Sequence, residues 1–278
     1  MDSAAVLRFL LPGAQLYCIH TQENGLVGRT SDSFWRFLGG AHQAIERRVV
    51  SNAGAVVVFN EDYTEVVKRW NPRAQFSPTW FDPALIVTDG PHEKSYSIVW
   101  VGRLETPKDP LLAVAALREV VAADPENPWT LEILGSGTLL EEVQAGVNAL
   151  PDEIRTRVVL HGRVAPEDVA QLMSRADLFL MTSFPGYEGY PRVLVEAMAS
   201  GLPSVVTQGS DTGGIVVDGE TGYTCSRDSR ELAEALISAR AISRQQVAAA
   251  VNAFDAPTLV GRMMSLPHAE EAKRKVGA

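Results

Sequence analysis

Two carboxylates, Glu188 and Glu196, stand eight residues apart across a glycine-bearing loop and the start of a helix. The stretch that holds them, Ser183 to Val206, begins where an apolar strand over Leu178 to Met181 ends. Its loop is broken by Pro185, Gly186 and Gly189. Pro191 suits the first turn of a helix, where a missing N–H has no intrahelical partner to lose. That helix is expected through Val193, Leu194, Glu196, Ala197 and Met198, stopping at Gly201 before a second strand. Strand, glycine loop and helix N-terminus together leave N–H groups facing a crevice at the strand ends, a suitable place for an anion. Glu188 also reads as a charge favoured by the helix dipole. Glu196, in a helix whose neighbours read as apolar, requires a partner, and a pair of ligand hydroxyls would serve.

A second set of chemistry-bearing residues leaves another apolar strand, in Val101-Gly102-Arg103-Leu104-Glu105-Thr106-Pro107-Lys108. Glycine at a strand end, followed by Arg103 and Lys108 five residues apart, puts two cations over the carboxyl edge of a sheet. Arginine grips phosphate oxygens bidentately and lysine acts as a point charge; a pair of solvated surface cations is the other reading. Leu134-Gly135-Ser136-Gly137 closes the next strand, and Gly135 and Gly137 permit close backbone approach, although turns with two glycines are frequent. His161-Gly162-Arg163-Val164 leaves the strand after that, and His161 reads equally as a packed residue or a ligand contact.

The run Glu196-Ala197-Met198-Ala199-Ser200-Gly201-Leu202-Pro203, set behind Glu188, resembles the donor-binding segment of a retaining family called glycosyl transferases group 1. Members carry a Glu-x7-Glu motif followed by Glu-Ala-Met-Ala-x-Gly-x-Pro. The resemblance implies an α/β fold of GT-B type, with a complete C-terminal Rossmann-like domain and a partial N-terminal Rossmann-like domain. It implies hexosyl transfer from a nucleotide-diphospho-sugar, with retention, to an unknown acceptor (a glycan, a lipid-linked sugar or a small molecule). No cofactor or metal is expected, because no ligand cluster is visible and Arg103 and Lys108 supply the positive charge. By this resemblance Glu188, Gly189, Tyr190, Pro191 and Glu196 bind the donor, Glu188 touching the sugar and Glu196 the ribose hydroxyls. Gly102, Arg103 and Lys108 match the family's Gly-Arg-x4-Lys diphosphate clamp. Gly135 and Gly137 lie near the nucleotide, and Gly162, Arg163 and Val164 border its base. Glu188, Arg103 and Lys108 are the residues implied in catalysis. Two departures stand out: Val216 and Val217 replace the usual Glu after Gly213-Gly214, and Pro191-Arg192 replaces the commonest Gly-Leu. His20 resembles a strand-end histidine that is distinct from the family's catalytic one. The rival readings are a donor-binding module without activity and a sugar-nucleotide epimerase of the same fold.

The elements that must position these residues follow a βα rhythm, which implies parallel sheets covered on both faces. Strands are expected over Ala14–Ile19, Ala55–Phe59, Ser97–Val101, Thr130–Leu134, Val158–His161 and Leu178–Met181. Helices are expected over Glu61–Trp70, Pro110–Ala123, Thr138–Leu150, Pro166–Ser174, Arg230–Ala239, Ser243–Ala253 and Pro257–Leu266. A further amphipathic segment, Ser31–Asn52, turns Phe34, Phe37, Leu38, Ala41, Ile45 and Val49 to one face. The polar run Asp89–Lys94 reads as a linker, giving a partial domain over 1–88, a linker over 89–95, a nucleotide-sugar domain over 96–255 and a helix with tail over 256–278. The first part holds only two clear strands. It is therefore expected to be a fragment, or to depend on strands from a partner.

Composition narrows the partners. With 25 basic and 34 acidic residues the net charge is −9, which argues against nucleic acid and anionic membranes. Two distant cysteines, Cys18 and Cys225, are expected as buried free thiols in a reducing compartment. No apolar run reaches the ~18 residues of a transmembrane span. The first residues lack a signal peptide's basic start and long apolar core, so the expected location is cytoplasmic.

Overall fold

The computed structural model describes residues 16–19, 39–87 and 95–276, without the side chains of 39–43 and 267–276. It divides into two compact units. The second holds Trp80–Pro185 and Pro191–Asp255; the first holds the described residues up to Thr79, the Gly186–Tyr190 segment and the chain from Ala256 onward. The sequence instead divides the chain around residues 89–95, of which 89–94 lie outside the described residues.

The first unit contains β1 (Leu16–Ile19), α1 (Gly39–Ser51), β2 (Ala55–Val58), α2 (Glu61–Lys68) and β3 (Ala74–Phe76). The strands form a parallel sheet in the order β1-β2-β3. All of β2 is buried, because it is paired on both sides and covered on both faces. Asn60 starts α2, its side-chain oxygen accepting from the N–H of Tyr63 at 2.7 Å. Its amide nitrogen donates to the Gly189 carbonyl at 3.2 Å, and the Phe76 and Tyr190 rings lie 6.0 Å apart.

Several expectations are corrected here. The sheet has a third strand, β3, which its three residues made too short to read. In β1 only Ile19 is buried, since among the described residues that strand pairs only with β2, and Cys18 is exposed. Ile45, assigned to the buried face of α1, is 37% exposed. The last helix extends well past Leu266.

The second unit contains β4 (Ser97–Val101), α3 (Pro110–Ala123), β5 (Thr130–Leu134), α4 (Leu140–Asn148), the short α5 (Asp152–Arg155) and β6 (Val158–Gly162). It continues with α6 (Pro166–Arg175), β7 (Leu178–Met181), α7 (Arg192–Ala199), β8 (Ser204–Thr207), β9 (Gly222–Cys225), α8 (Ser229–Ala239) and α9 (Arg244–Ala250). α10 (Ala256–Val276) then returns to the first unit. The six strands are parallel in the order β6-β5-β4-β7-β8-β9. The chain therefore winds outward on one side from β4 and on the other from β7, and the point where it reverses is where open α/β sheets bind ligands. Ile98, Trp100, Leu131, Ile133, Leu178 and Leu180 share one buried core with Leu117 of α3 and Leu236 of α8. Strands buried on both faces read as continuous apolar runs, which is why β4, β5 and β7 match their expected bounds. β9 has no counterpart among the expected strands and begins at Gly222, the last residue of an expected turn, and edge strand β6 leaves Val159 45% exposed.

Backbone hydrogen bonds stitch the loops at the carboxyl edge together. The Gly102 N–H donates to Leu134 O at 3.0 Å, Leu104 N–H to Ser136 O at 3.1 Å and Gly135 N–H to Gly162 O at 2.8 Å. Glu105, buried, accepts from the Thr138 hydroxyl at 2.6 Å and from its N–H at 3.2 Å. This proximity explains the two glycines of the β5 turn. A Cβ on Gly135 would overlap the carbonyl oxygen of Gly102, and one on Gly137 that of Leu104. Gly135 also holds φ 143°, which side chains rarely adopt. Gly162, at φ 66°, has open space around its missing Cβ. Gly135→Ala is therefore expected to cost at least ~2 kcal/mol, through overlap and an unfavourable backbone. Gly162→Ala should cost only the left-handed conformation, about 1 kcal/mol. Thermal melting of the two variants checks this, and equal midpoints would contradict it.

Candidate functional site

At the carboxyl ends of β4, β5 and β6 the second unit opens a cavity of about 470 Å³. Its walls are Val101, Gly102 and Arg103 from the end of β4, Leu134, Gly135 and Ser136 from the end of β5, and Arg163, Val164 and Val169 beyond β6. Gly102, Arg103, Gly135, Arg163 and Val164, picked from the sequence, are thus brought together. Gly137, Gly162, Lys108 and Glu196 are not part of its walls. Ser136 and Val169 join the walls without a sequence signal: Ser136 stands between two glycines that carry the motif, and Val169 sits in the first turn of α6, where an apolar residue reads as core. The cavity has apolar sides and two guanidinium-bearing residues. That arrangement suits a flat ring joined to an anion.

Lys108 ends a short 3₁₀ turn over Thr106–Lys108. Its side chain runs back over the end of β4, for a Cβ on Gly102 would lie 3.6 Å from Lys108 Cδ and 3.1 Å from the Trp100 ring. Asp109 follows at φ 44° and caps α3, accepting the Leu112 N–H at 3.1 Å. Left-handed backbone is uncommon outside glycine, and aspartate adopts it where its short side chain bonds locally, as Asp109 does to the Leu112 N–H. No residue pattern around Asp109 announces this conformation.

Pro191 stands at the N-cap of α7 with φ −74° and ψ 98°, so the helix begins at Arg192 and Pro191 lies just outside the first turn expected to hold it. Gly201, at φ 77°, follows the C-cap Ser200 as expected. Glu196, 27% exposed, pairs with Arg192 one turn earlier, Nε to Oε1 at 2.8 Å. The partner that Glu196 requires is thus present in its own helix, where ligand hydroxyls were the expected one. Burial still pushes its carboxyl above the ordinary glutamate range, with the charge and hydrogen bond of Arg192 opposing. Glu188 is buried and lies, with Gly189 and Tyr190, in the segment belonging to the first unit. His161 Nε2 lies 2.9 Å from Glu132 on the neighbouring strand, so it is a packed, paired residue.

Beyond β8, Asp211 accepts N–H bonds from Gly213 at 3.2 Å and Val216 at 2.8 Å. The acidic group of this loop therefore precedes the glycine pair, where the sequence reading looked for one after it. Burial raises its carboxyl and those backbone bonds oppose the rise. Cys225 is a buried free thiol pushed up to about 11 by burial and by nearby Glu231 and Asp218. His20 lies outside the described residues. Among the described residues no group of three or more His, Cys, Asp or Glu is placed to hold a metal ion, and no helix is long and apolar enough to cross a membrane.

Solved structures with the same architecture place the chain in a class. It aligns over 99% of its length with 75% of HepE from Anabaena, solved in complex with UDP and glucose, at TM-score 0.72 and 17% identity. It aligns over 96% with 70% of the sucrose-phosphate synthase from Thermosynechococcus elongatus, at TM-score 0.71 and 22% identity. The fold is therefore α/β with parallel sheets, of the GT-B type. The family model of glycosyl transferases group 1 matches residues 95–241, over half of the 278, and the chain belongs to that family. Over 145 residues it is 34% identical to glycogen synthase of Mycobacterium tuberculosis, covering 50% of this chain and 32% of that one. Over 116 residues it is 32% identical to mannosylfructose-phosphate synthase of Agrobacterium fabrum, covering 40% of this chain and 25% of that one. The chain spans about a third or less of the length of these curated relatives.

The raised carboxyl of Glu196 has a consequence for stability. Below the ordinary glutamate range Glu196 is protonated in both folded and unfolded chains. As pH rises the unfolded chain ionises first, so the folded state loses stability until pH passes the raised folded value. Glu196→Gln should therefore melt higher than the parent at neutral pH and equal to it near pH 3. A melting series from pH 3 to 8 checks this, and a gap of the opposite sign at neutral pH would contradict it.

Proposed function

We propose that this chain binds a nucleotide-diphospho-sugar and that its whole protein moves the sugar to an acceptor hydroxyl with retention of configuration. The observation that carries the reading is the cavity at the β4–β6 ends, with Arg103 and Arg163 in its walls. Family membership supports it, as does the UDP and glucose bound by HepE on the same fold. In such a transfer the bond from the anomeric carbon to the diphosphate oxygen breaks and the electron pair leaves with the diphosphate. The acceptor oxygen forms the new bond and gives its proton to the departing diphosphate oxygen. Cations placed where that charge develops lower the barrier by several kcal/mol in a water-poor cleft. Arg103 and Lys108 take this role, so no metal is required by the reading.

The remaining assignments follow the chemistry of each group. Gly102, Gly135 and Gly137 keep side chains away from the phosphate path. Gly162, Arg163 and Val164 border the base, with Val169 closing its apolar side. Glu196 accepts from the ribose hydroxyls, taking them in place of Arg192 or together with it. Glu188, with the backbone of Gly189, Tyr190 and Pro191, meets the sugar. A second reading, binding without turnover, is favoured by one observation: every residue in the cavity walls belongs to the second unit.

The two glutamates separate experimentally. Glu196→Gln should weaken the nucleoside diphosphate itself, because it removes a charged acceptor from the ribose. Glu188→Gln should leave the nucleoside diphosphate nearly unchanged and weaken the full sugar nucleotide. Calorimetry with UDP and UDP-glucose, and the guanosine and adenosine counterparts, reads both. Equal losses of nucleoside diphosphate in the two variants would overturn the division of roles.

A further inference from the structure

Arg227 sits in the turn between β9 and α8, two strands from β7 in the sheet, yet its guanidinium reaches the β4–β7 reversal point. It donates to the Thr182 carbonyl at 2.7 Å and the Ser183 carbonyl at 3.3 Å, and pairs with Asp109 Oδ2. Its carbon lies 3.8 Å from the centroid of the Phe184 ring. Thr182 completes the junction: its hydroxyl lies 2.8 Å from the carbonyls of both Lys108 and Asp109, and it accepts from the Trp100 indole N–H at 2.9 Å. The Ser183 carbonyl also accepts from the Thr207 hydroxyl at 2.6 Å, bringing in the end of β8.

We propose that Arg227 is a positioning residue that holds the Lys108 turn against the end of β7, so that a nucleoside diphosphate meets Lys108 already in place. This rests on the reading of the site given above. Two observations set Arg227 apart from an arginine that only closes a sheet. The turn it grips is left-handed at Asp109, a conformation uncommon outside glycine, and the carboxylate of that same residue is the one Arg227 pairs with. It also neutralises a carboxylate adjoining Lys108, where an unpaired negative charge would oppose an incoming diphosphate. Lysine, a single point donor, reproduces the link poorly, because the acceptors engage two separate nitrogens of one planar guanidinium that also lies over the Phe184 ring.

The test is a double-mutant cycle read by calorimetry with UDP, GDP and ADP on the full chain, alongside melting curves. Arg227→Ala should weaken the best-binding nucleoside diphosphate at least fivefold. In a Lys108→Ala background the same change should cost less than twofold, because the group it positions is gone. Arg227→Lys, which keeps the charge, should weaken binding at least threefold with an unchanged melting midpoint. It decides the matter if Arg227→Ala does not fold. Asp109→Asn added to Arg227→Ala should restore part of the affinity by removing the unpaired charge. Unchanged affinity in Arg227→Lys, or an Arg227→Ala loss of the same size with and without Lys108, would overturn the inference while leaving the site intact. A parent chain that binds none of the three nucleotides would overturn the site itself, and this inference with it.

Discussion

The contact on which the second unit depends is backbone against backbone: the turn after β5 lies directly on the turn after β4. Gly102 N–H bonds to Leu134 O, Leu104 N–H bonds to Ser136 O, and no side chain fits at Gly135 or Gly137 between them. Close packing lets three consecutive strand ends offer their edges to one cavity. A parallel sheet leaves its carboxyl-end N–H groups and loops on the same side by construction. Here the glycines bring those loops close enough to form a single wall. Glu105 adds a side-chain clasp between two of the turns, and the cavity inherits its shape from this lacing.

Much of this second unit was legible because burial on both faces removes ambiguity. Ser97–Val101, Thr130–Leu134 and Leu178–Met181 are runs of apolar residues, and each forms the strand its sequence marks. The helix expected over Pro110–Ala123 is α3. The misses have physical causes. Gly222–Cys225 was hidden by a preceding turn of Asp, Gly, Glu and Thr. Its glycine is required because a Cβ there would overlap the Ser204 carbonyl oxygen on β8, a long-range contact that leaves no local pattern. Cys18 reads as buried from its apolar neighbours, whereas pairing in the sheet decides its exposure.

The candidate site was read where chemistry is local and lost where it is assembled. Gly102 and Arg103 follow a strand end, and so do Gly135 and Arg163, so strand position alone gathers them. The partner of Glu196 stood four residues away and was overlooked, because Arg192 was weighed as a departure from a motif and not as a helix neighbour. The link from Asp109 to Arg227 spans 118 residues, and neither residue type announces it. The left-handed backbone at Asp109 exists only in the folded chain. Such features are the ones a linear reading cannot reach.

The central claim is that the carboxyl ends of β4, β5 and β6 bind a nucleoside diphosphate through Arg103. Titration of Arg103→Ala against the parent chain with UDP, GDP and ADP tests it most directly. The account predicts at least a tenfold loss for whichever nucleotide the parent binds best, about 1.4 kcal/mol, with the melting midpoint unchanged. Affinity equal to that of the parent would contradict it.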